Sequence, residues 1–268
     1  MAMCGPLSRA AQRPRPLPAR GRGALVPGVF AAIFAICLLP LALCPAVAAG
    51  TLQGLVTFPG ETPPPYMFAN RDDNNCPYGI PQDNLQVRQE NLGLKNVLVV
   101  LESHGERQVR DARAALATDD CRLLPRVQSV PLGTSLELVD KGRARHDIRA
   151  VLNNADAFDV TLQPGQTLRR PLVQAGLYRF DCARHPWERA WIYVAAEPYT
   201  AVTDDQGRFE IRHIPPGRYR ARAWHEGWQD LGRDAENRPQ FQPMGEIREV
   251  QIKEGQSTSV RFDNLQPL

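Results

Sequence analysis

Apolar and polar residues alternate along much of the chain beyond residue 50, and this pattern predicts β-strands. The clearest example is the segment 217–224. In it Tyr219, Ala221 and Ala223 fall on one side and three arginines fall on the other. The segment 208–212 repeats the alternation. A period of two is typical of antiparallel strands with one buried face, so we expect an arginine-rich face toward solvent.

Shorter apolar runs predict further strands, and turn residues separate them. These runs are Leu52 to Phe58, Val97 to Leu101, Val127 to Asp140 with a turn at Gly133, and Trp191 to Val194. We expect loops over 59–93 and a helical turn or a loop over 106–117. Apolar residues at 250–252 and 260–262 flank a turn at 254–256, which predicts a closing hairpin. The pattern as a whole predicts an all-β protein.

The first 48 residues have the order of a secretory signal peptide. Five arginines come first, an apolar run follows, and the small residues Ala46 and Ala48 end the segment. Segments of this kind direct export and are then removed. The alternative is an uncleaved membrane anchor, because the apolar run approaches the length of a span. Pro40 and Pro45 interrupt the run and favour cleavage, so we expect a periplasmic or secreted protein with no membrane span after signal cleavage.

Removal of this segment changes the charge of the chain. The full sequence has a formal net charge of +3, and taking away five arginines, with no lysine or acid, leaves −2. We therefore expect no nucleic-acid binding, because that function relies on a basic surface. About 220 residues remain, which is enough for two small β domains with separate cores.

Three cysteines remain after the signal: Cys76, Cys121 and Cys182. In an oxidising compartment two of them are expected to pair, and the third is expected to have another role. The simplest assignment is a Cys76–Cys121 disulfide with Cys182 as a metal-binding thiolate. The alternative is a buried free thiol at Cys182, and the residues around it favour the metal.

A Cys-x-x-His motif from Cys182 to His185 follows a predicted strand over 178–181. A cysteine and a histidine at this spacing can both reach one ion from a tight loop. Copper that cycles between Cu(I) and Cu(II) takes one thiolate and two imidazoles, with a weak axial ligand. His146, which follows a strand–turn segment upstream, is the candidate for the second imidazole. The three side chains predict one mononuclear metal site.

The sequence resembles the cupredoxin family, in particular cupredoxin-like periplasmic proteins described as methylamine utilization proteins. The matching stretches are Cys121 to Arg126, Asp140 to Asp147, Cys182 to Glu188 and Pro198 to Phe209. The resemblance implies a Greek-key β-sandwich that binds one copper ion through His146, Cys182 and His185. It also implies that one ligand histidine lies at the surface as the electron exit, and His185 is the candidate.

The chain departs from the family pattern around these ligands. Glu188 stands at the position of the family's axial methionine, and Arg126 stands at the position of a family histidine. A carboxylate ligand would favour Cu(II), lower the reduction potential and also admit zinc. Glu188 is therefore a candidate fourth ligand. The alternative is that Glu188 is a solvated loop carboxylate or the partner of an arginine.

The segment 198–224 also resembles the carboxypeptidase-regulatory-like, transthyretin-like β-sandwich, on its Thr-Asp-x-x-Gly-x-Phe and Pro-Pro-Gly-x-Tyr motifs. The two resemblances imply two β-sandwich domains, with the cupredoxin sandwich inserted in or adjacent to the other. We expect the carboxypeptidase-regulatory-like sandwich at 50–104 and 197–268, and the cupredoxin-like domain at 105–196. Two domains in tandem are the alternative.

Three functions fit these residues. The first is a copper protein that transfers single electrons and is not an enzyme. Arginines at 143, 145, 184 and 189 predict an acidic docking partner for it, a redox protein such as a cytochrome. The second is a non-redox binding or scaffolding module with a degenerate copper site, and the third is copper storage or delivery.

Outside the site, His225 is expected to end a strand rather than begin a second site, and His104 and His213 are expected in loops or at the surface.

Overall fold

The chain folds into β-structure throughout the part that can be described. The computed structural model describes residues 48–69, 76, 79–103, 112–119 and 121–268. The all-β fold class is confirmed in these ranges. The predicted signal peptide lies outside them apart from Ala48, and so does His104. No helix within them has the length and apolar character that a membrane crossing requires.

The strands vary from two to nine residues and are numbered in chain order. They are β1 (Gly50–Val56), β2 (Met67–Ala69), β3 (Gly79–Pro81), β4 (Val87–Arg88), β5 (Gly93–Leu94), β6 (Leu98–Glu102), β7 (Arg113–Asp119), β8 (Arg122–Leu124), β9 (Val127–Pro131), β10 (Ser135–Asp140), β11 (His146–Leu152), β12 (Ala155–Leu162), β13 (Thr167–Pro171), β14 (Gly176–Cys182), β15 (Arg189–Ala195), β16 (Thr200–Val202), β17 (Arg208–Ile214), β18 (Gly217–His225), β19 (Asp230–Arg233), β20 (Pro239–Phe241), β21 (Met244–Ile252), β22 (Ser257–Phe262) and β23 (Gln266–Pro267).

Two sheets enclose one core, and we call this pair the first sandwich. Its sheets have the strand orders β12-β11-β14-β15-β9 and β13-β10-β7-β8. β7 pairs in parallel with β10, and β9 pairs in parallel with β15. The core between the sheets takes its residues from 116–194, with Leu136, Ile148 and Phe180 almost completely buried.

A second pair of sheets, the second sandwich, encloses another core. Its strand orders are β16-β6-β18-β21-β23 and β17-β1-β22. This core takes its residues from 52–101 and 209–265. The chain leaves this sandwich after β6 and returns at β16, where Thr200 pairs with Val100. The two cores are thus compatible with the nested order of domains, whose boundaries stay a prediction.

Two local predictions are wrong, and a third is wrong in part because the predicted loop region 59–93 contains β2, β3 and β4. The described part of 106–117 contains β7 rather than a helical turn or a loop, because pairing with β8 and β10 on its two sides overrides a weak local pattern. The closing hairpin does not form either. β21 and β22 lie in different sheets, and β22 pairs in parallel with β1. The turn at 254–256 therefore carries the chain from one sheet of the second sandwich to the other.

The predicted disulfide between Cys76 and Cys121 is confirmed, with Cα atoms 5.9 Å apart. Cys76 lies between β2 and β3, and Cys121 lies between β7 and β8. The bridge ties the β2–β3 pair to the first sandwich. Phe68 and Ile80 are buried against the two cysteines and against Trp187.

A buried charged cluster joins the two sandwiches. Arg126, just before β9, donates to both carboxylate oxygens of Glu226, at 2.7 and 2.9 Å, and also pairs with Asp83. Trp191 Nε1 donates to the same Glu226 carboxylate at 3.0 Å, and its ring lies 5.1 Å from that of Trp224. Arg126 therefore holds the interface between the two sandwiches.

Replacing Glu226 by alanine is expected to lower the free energy of unfolding by about 3–5 kcal/mol, because Arg126 stays buried without its bidentate partner. Chemical denaturation of the variant and the parent protein measures the difference. The control is Glu102→Ala, which removes a partly exposed carboxylate 3.3 Å from Arg220 and should cost at most about 1 kcal/mol. Equal losses in the two variants would contradict this role of the cluster.

His225 ends β18, as expected, and is completely buried, with its Nδ1 accepting the Gly227 N–H at 3.0 Å. Burial lowers the pKa of His225 from 6.5 to about 4. The unfolded chain therefore binds a proton at His225 near pH 6.5, whereas the folded chain binds this proton only near pH 4. The free energy of unfolding is therefore unaffected by this titration above pH 6.5. It decreases by about 3 kcal/mol as the pH falls from 6.5 to 4.

The variant His225→Asn keeps a hydrogen-bond acceptor and removes this titration. We expect its free energy of unfolding to depend less steeply on pH between 6.5 and 4 than that of the parent protein. Denaturation midpoints at a series of pH values measure the two slopes, and parallel slopes would exclude His225 as the cause.

Candidate metal centre

Strand pairing brings the beginning of β11 to the end of β14. β11 begins at His146 and β14 ends at Cys182. Ile148 lies opposite Cys182 in the antiparallel register. Because residues two apart on a strand share a face, the side chains of His146, Ile148 and Cys182 all point into the first sandwich.

The loop 183–188 folds back on itself and adds two more side chains, those of His185 and Glu188. The Glu188 N–H donates to the His185 carbonyl at 2.9 Å, and the Cys182 N–H donates to the Glu188 carbonyl at 3.2 Å. The Ala183 N–H donates to the Asp147 carbonyl at 2.8 Å, which ties the loop to β11. Backbone hydrogen bonds thus fix the loop on both sides.

The four predicted ligands meet in one place. One ligand atom from each of His146, Cys182, His185 and Glu188 lies within 4.8 Å of all the others. The Cys182 Sγ is 3.9 Å from Nδ1 of His146 and 3.5 Å from Nδ1 of His185, and the two Nδ1 atoms are 3.2 Å apart. Oε2 of Glu188 is 2.9 Å from Nδ1 of His146 and 3.3 Å from Nδ1 of His185.

These separations fit a small transition-metal ion. In a triangle with sides of 3.2, 3.5 and 3.9 Å, the point equidistant from the sulfur and the two nitrogens lies about 2.1 Å from each. Imidazole nitrogens and thiolates bind zinc at roughly 2.0–2.3 Å. One thiolate with two imidazoles is also the donor set of mononuclear copper electron-transfer sites. The four residues form a candidate metal site.

Glu188 is buried, with only 1% of its surface exposed. The expectation of a solvated loop carboxylate is therefore wrong. Its Oε1 atom makes no hydrogen bond within the described part of the chain. A buried carboxylate oxygen without a partner is costly, and an ion in this cluster would remove that cost. Whether Glu188 binds metal stays a prediction.

The four side chains shift each other's protonation. Burial acts to lower the pKa of His146, but hydrogen bonds to Cys182 and Glu188 outweigh it and raise the pKa to about 9. The same balance raises the pKa of His185 to about 11. Burial acts to raise the pKa of Cys182 and of Glu188, yet hydrogen bonds from the two imidazoles bring both below their usual values. These opposed pKa shifts favour protonated imidazoles facing a deprotonated carboxyl and thiol when no metal is bound.

Metal binding would change the charge inside the cluster. A ligand must be deprotonated, so a metal would displace the protons from both imidazoles. The thiolate and the carboxylate then carry a charge of −2, which a divalent ion neutralises and a monovalent ion does not. A net charge is expensive to bury, so the set of side chains favours a divalent ion.

Asp140 lies on the Nε2 side of His146, whereas the other three side chains of the quartet face Nδ1. Its Oδ1 accepts hydrogen bonds from Thr118 Oγ1 at 3.0 Å and from the Gly142 N–H at 2.7 Å, and its Oδ2 lies 3.9 Å from Nε2 of His146. This separation is too long for a hydrogen bond, and Asp140 Oδ2 has no hydrogen-bond partner in the described part of the chain. The local sequence gives no sign of this contact, because Asp140 ends β10 and reaches His146 only in the folded sandwich.

The expected surface exposure of His185 is wrong, because only 3% of its surface is exposed. The Trp187 ring lies against it, with centroids 5.2 Å apart. Trp187 Nε1 donates to the Cys121 carbonyl at 3.0 Å, and the ring centroids of Trp187 and Phe68 are 6.0 Å apart. The disulfide-linked β2–β3 pair thus contributes to a cover over the loop, a long-range contact that the local sequence gives no sign of.

Three of the four arginines near the proposed ligands are engaged within the chain, whereas Arg143 is exposed and forms no ion pair with the described residues. Arg145 and Arg184 both donate to the Asp147 carboxylate, at 3.0 and 2.7 Å. Arg189 is buried and donates to Asp181 at 2.7 Å. Because these arginines are already paired, they give less support to an acidic docking partner beside the loop 183–188. The redox partner stays a prediction.

The other histidines that the structure describes lie away from this cluster. His225 ends β18 among the residues of the sandwich interface, and His213 is exposed on β17. Within the described ranges, the quartet is the one group of acids, cysteines and histidines arranged to hold a metal.

Comparisons with known proteins give partial likenesses. No protein-family model and no curated protein matches the chain. A purple cupredoxin from Nitrosopumilus maritimus is 20% identical over 32% of this chain and 100% of its own, with a TM-score of 0.28. A mutant of amicyanin in its reduced Cu(I) form is 16% identical over 36% of this chain and 98% of its own, with a TM-score of 0.29. A copper-containing nitrite reductase from Thermus scotoductus is 22% identical over 36% of this chain and 25% of its own, with a TM-score of 0.29.

Proposed function

We propose that the protein is an exported copper protein that transfers single electrons through one buried Cys–His–His–Glu site. The convergence of the Cys182 thiolate with Nδ1 of His146 and of His185 carries this proposal. The copper ion would supply one-electron exchange between its two oxidation states. The chain would hold the ligands fixed, exclude water and set the charge. No substrate chemistry is part of the proposal.

The rigidity of the surroundings supports electron transfer. His146 and Cys182 stand on paired strands, and three backbone hydrogen bonds hold the loop that carries His185. A site fixed by packing changes little when the charge of its metal changes, which keeps the cost of reorganisation low. The burial of all four ligands excludes water from them.

A second candidate function rests on the same atoms. The metal-free quartet already satisfies much of its own hydrogen bonding, with Nδ1 of His146 2.9 Å from Glu188. A cluster of this kind can remain in a protein that no longer binds copper. The two sandwiches would then serve as a non-redox binding or scaffolding module. A zinc protein is the intermediate case, because the charge of the ligands suits any divalent ion.

The visible and EPR spectra of the mature protein after addition of Cu(II) test the first proposal. We expect an intense thiolate-to-copper absorption band at one copper per chain. The control is Cys182→Ala, which removes the sulfur and should abolish the band. A copper-free protein, or a band that survives in the variant, would refute the proposed site. Tight binding of zinc without copper would favour the non-redox function.

Glu188→Met replaces a buried anion by a neutral thioether and should raise the reduction potential of the copper site. A unit charge at about 4 Å contributes about 4 kcal/mol at an effective dielectric constant of 20. With about 2.3 kcal/mol per 100 mV for one electron, the rise should be on the order of 100 mV. Cyclic voltammetry measures it, with Glu197→Met as a control outside the quartet. An unchanged potential would show that Glu188 does not interact with the ion.

A further inference from the structure

The burial of the ligands raises the question of where an electron leaves the protein. His146, Cys182, His185 and Glu188 each expose at most 3% of their surface. A partner protein therefore cannot touch a ligand ring directly. Any route must pass through the side chains that cover the site. The inference below rests on the proposed electron-transfer function.

Aromatic rings form a continuous line from His185 to the surface. Trp187 is 5.2 Å from His185, Phe68 is 6.0 Å from Trp187, and Tyr66 is 5.0 Å from Phe68, measured between ring centroids. Tyr66 ends the line with half of its surface exposed. Each ring is within the range of aromatic contact with the next, so no gap interrupts the series.

The outer end of this line carries a positive charge. The guanidinium carbon of Arg233 lies 4.4 Å from the centre of the Tyr66 ring and 5.3 Å from that of Phe68. Arg233 belongs to β19, which pairs only with β20 among the described strands, so two distant parts of the chain build this surface. Among the residues that the structure describes, Arg233 forms no ion pair, in contrast to Arg145, Arg184 and Arg189 near the loop.

We propose that electrons enter and leave the copper site at the surface formed by Tyr66 and Arg233, through Phe68 and Trp187. The partner that fits this surface is a one-electron redox protein that presents a carboxylate to Arg233. The exposed tyrosine ring supplies the apolar part of the contact, and Arg233 attracts the partner's negative charge. Trp187 takes the place that an exposed ligand histidine would have.

The electron count of the step is simple. A copper ion held by the quartet would give up one electron in passing from Cu(I) to Cu(II), and the acceptor would gain that electron. No bond to a substrate forms or breaks. The aromatic side chains provide orbital overlap between the ligand and the acceptor and are not themselves oxidised.

The surface through which electrons leave can be located from the rates at which two small oxidants of opposite charge oxidise the Cu(I) protein. Hexacyanoferrate(III) is an anion and tris(phenanthroline)cobalt(III) is a cation. In stopped-flow measurements at low ionic strength, Arg233→Glu should slow the anionic oxidant several-fold and speed the cationic one, because charge near the point of transfer steers the approach. Added salt should suppress both effects.

The matched control is Arg212→Glu, an exposed arginine on β17 whose replacement changes the net charge by the same amount. It should alter both rates far less than Arg233→Glu does. Equal effects of the two variants, with intact copper spectra, would overturn the proposed surface while leaving the copper function standing. A parent protein that forms no redox-active copper site would overturn both.

Two further variants keep the test decisive if Arg233→Glu disturbs the fold. Arg233→Gln removes the charge without reversing it and should give a smaller change in the same directions. Phe68→Leu removes one ring from the line and should slow both oxidants several-fold with an unchanged absorption band and reduction potential. Rates equal to those of the parent protein in both variants would exclude this route.

Discussion

The antiparallel pairing of β11 with β14 is the constraint on which the site depends. Its register places Ile148 opposite Cys182, and that register brings His146 to the sulfur. A shift of β11 by one residue would turn the side chains of His146 and Ile148 to the other face of the sheet. The core of the first sandwich prevents such a shift, since it would expose Ile148 and its neighbours. The register that buries the hydrophobic core is thus also the one that assembles the proposed metal ligands.

Charge pairing continues outward from the ligands. Asp181 precedes Cys182 and Arg189 follows Glu188, and these two are joined by a 2.7 Å hydrogen bond. Arg189 also donates to the Pro239 carbonyl of β20 at 2.8 Å, so the flanks of the ligand loop are connected to the β19–β20 pair. The same pair of strands carries Arg233. The surface proposed for electron exchange and the ends of the ligand loop therefore belong to one connected structure.

The composition of the site explains how it would differ from a copper centre with a thioether ligand. Two anionic ligands bring a divalent ion to neutrality, whereas a thioether would leave the divalent state with one positive charge. Burial penalises whichever state carries net charge. Under the proposed function, Glu188 would thus stabilise the oxidised form of the bound ion, and the Asp140 carboxylate lies on the Nε2 side of His146. Glu188 would therefore favour a low reduction potential and a preference for divalent ions.

Local sequence determined the β-structure, the pairing of Cys76 with Cys121 and the residues that converge in the quartet. Alternation is a property of each strand, an odd cysteine count is a property of composition, and a Cys-x-x-His loop is short, so each could be read without the fold. Only the tertiary structure decided that β21 and β22 lie in different sheets, that Glu188 and His185 are buried, and that Arg126 binds Glu226. Each of these depends on contacts between residues far apart in the chain. Such contacts leave no period or motif in the local sequence, because their energy comes from burial and charge pairing that exist only after folding.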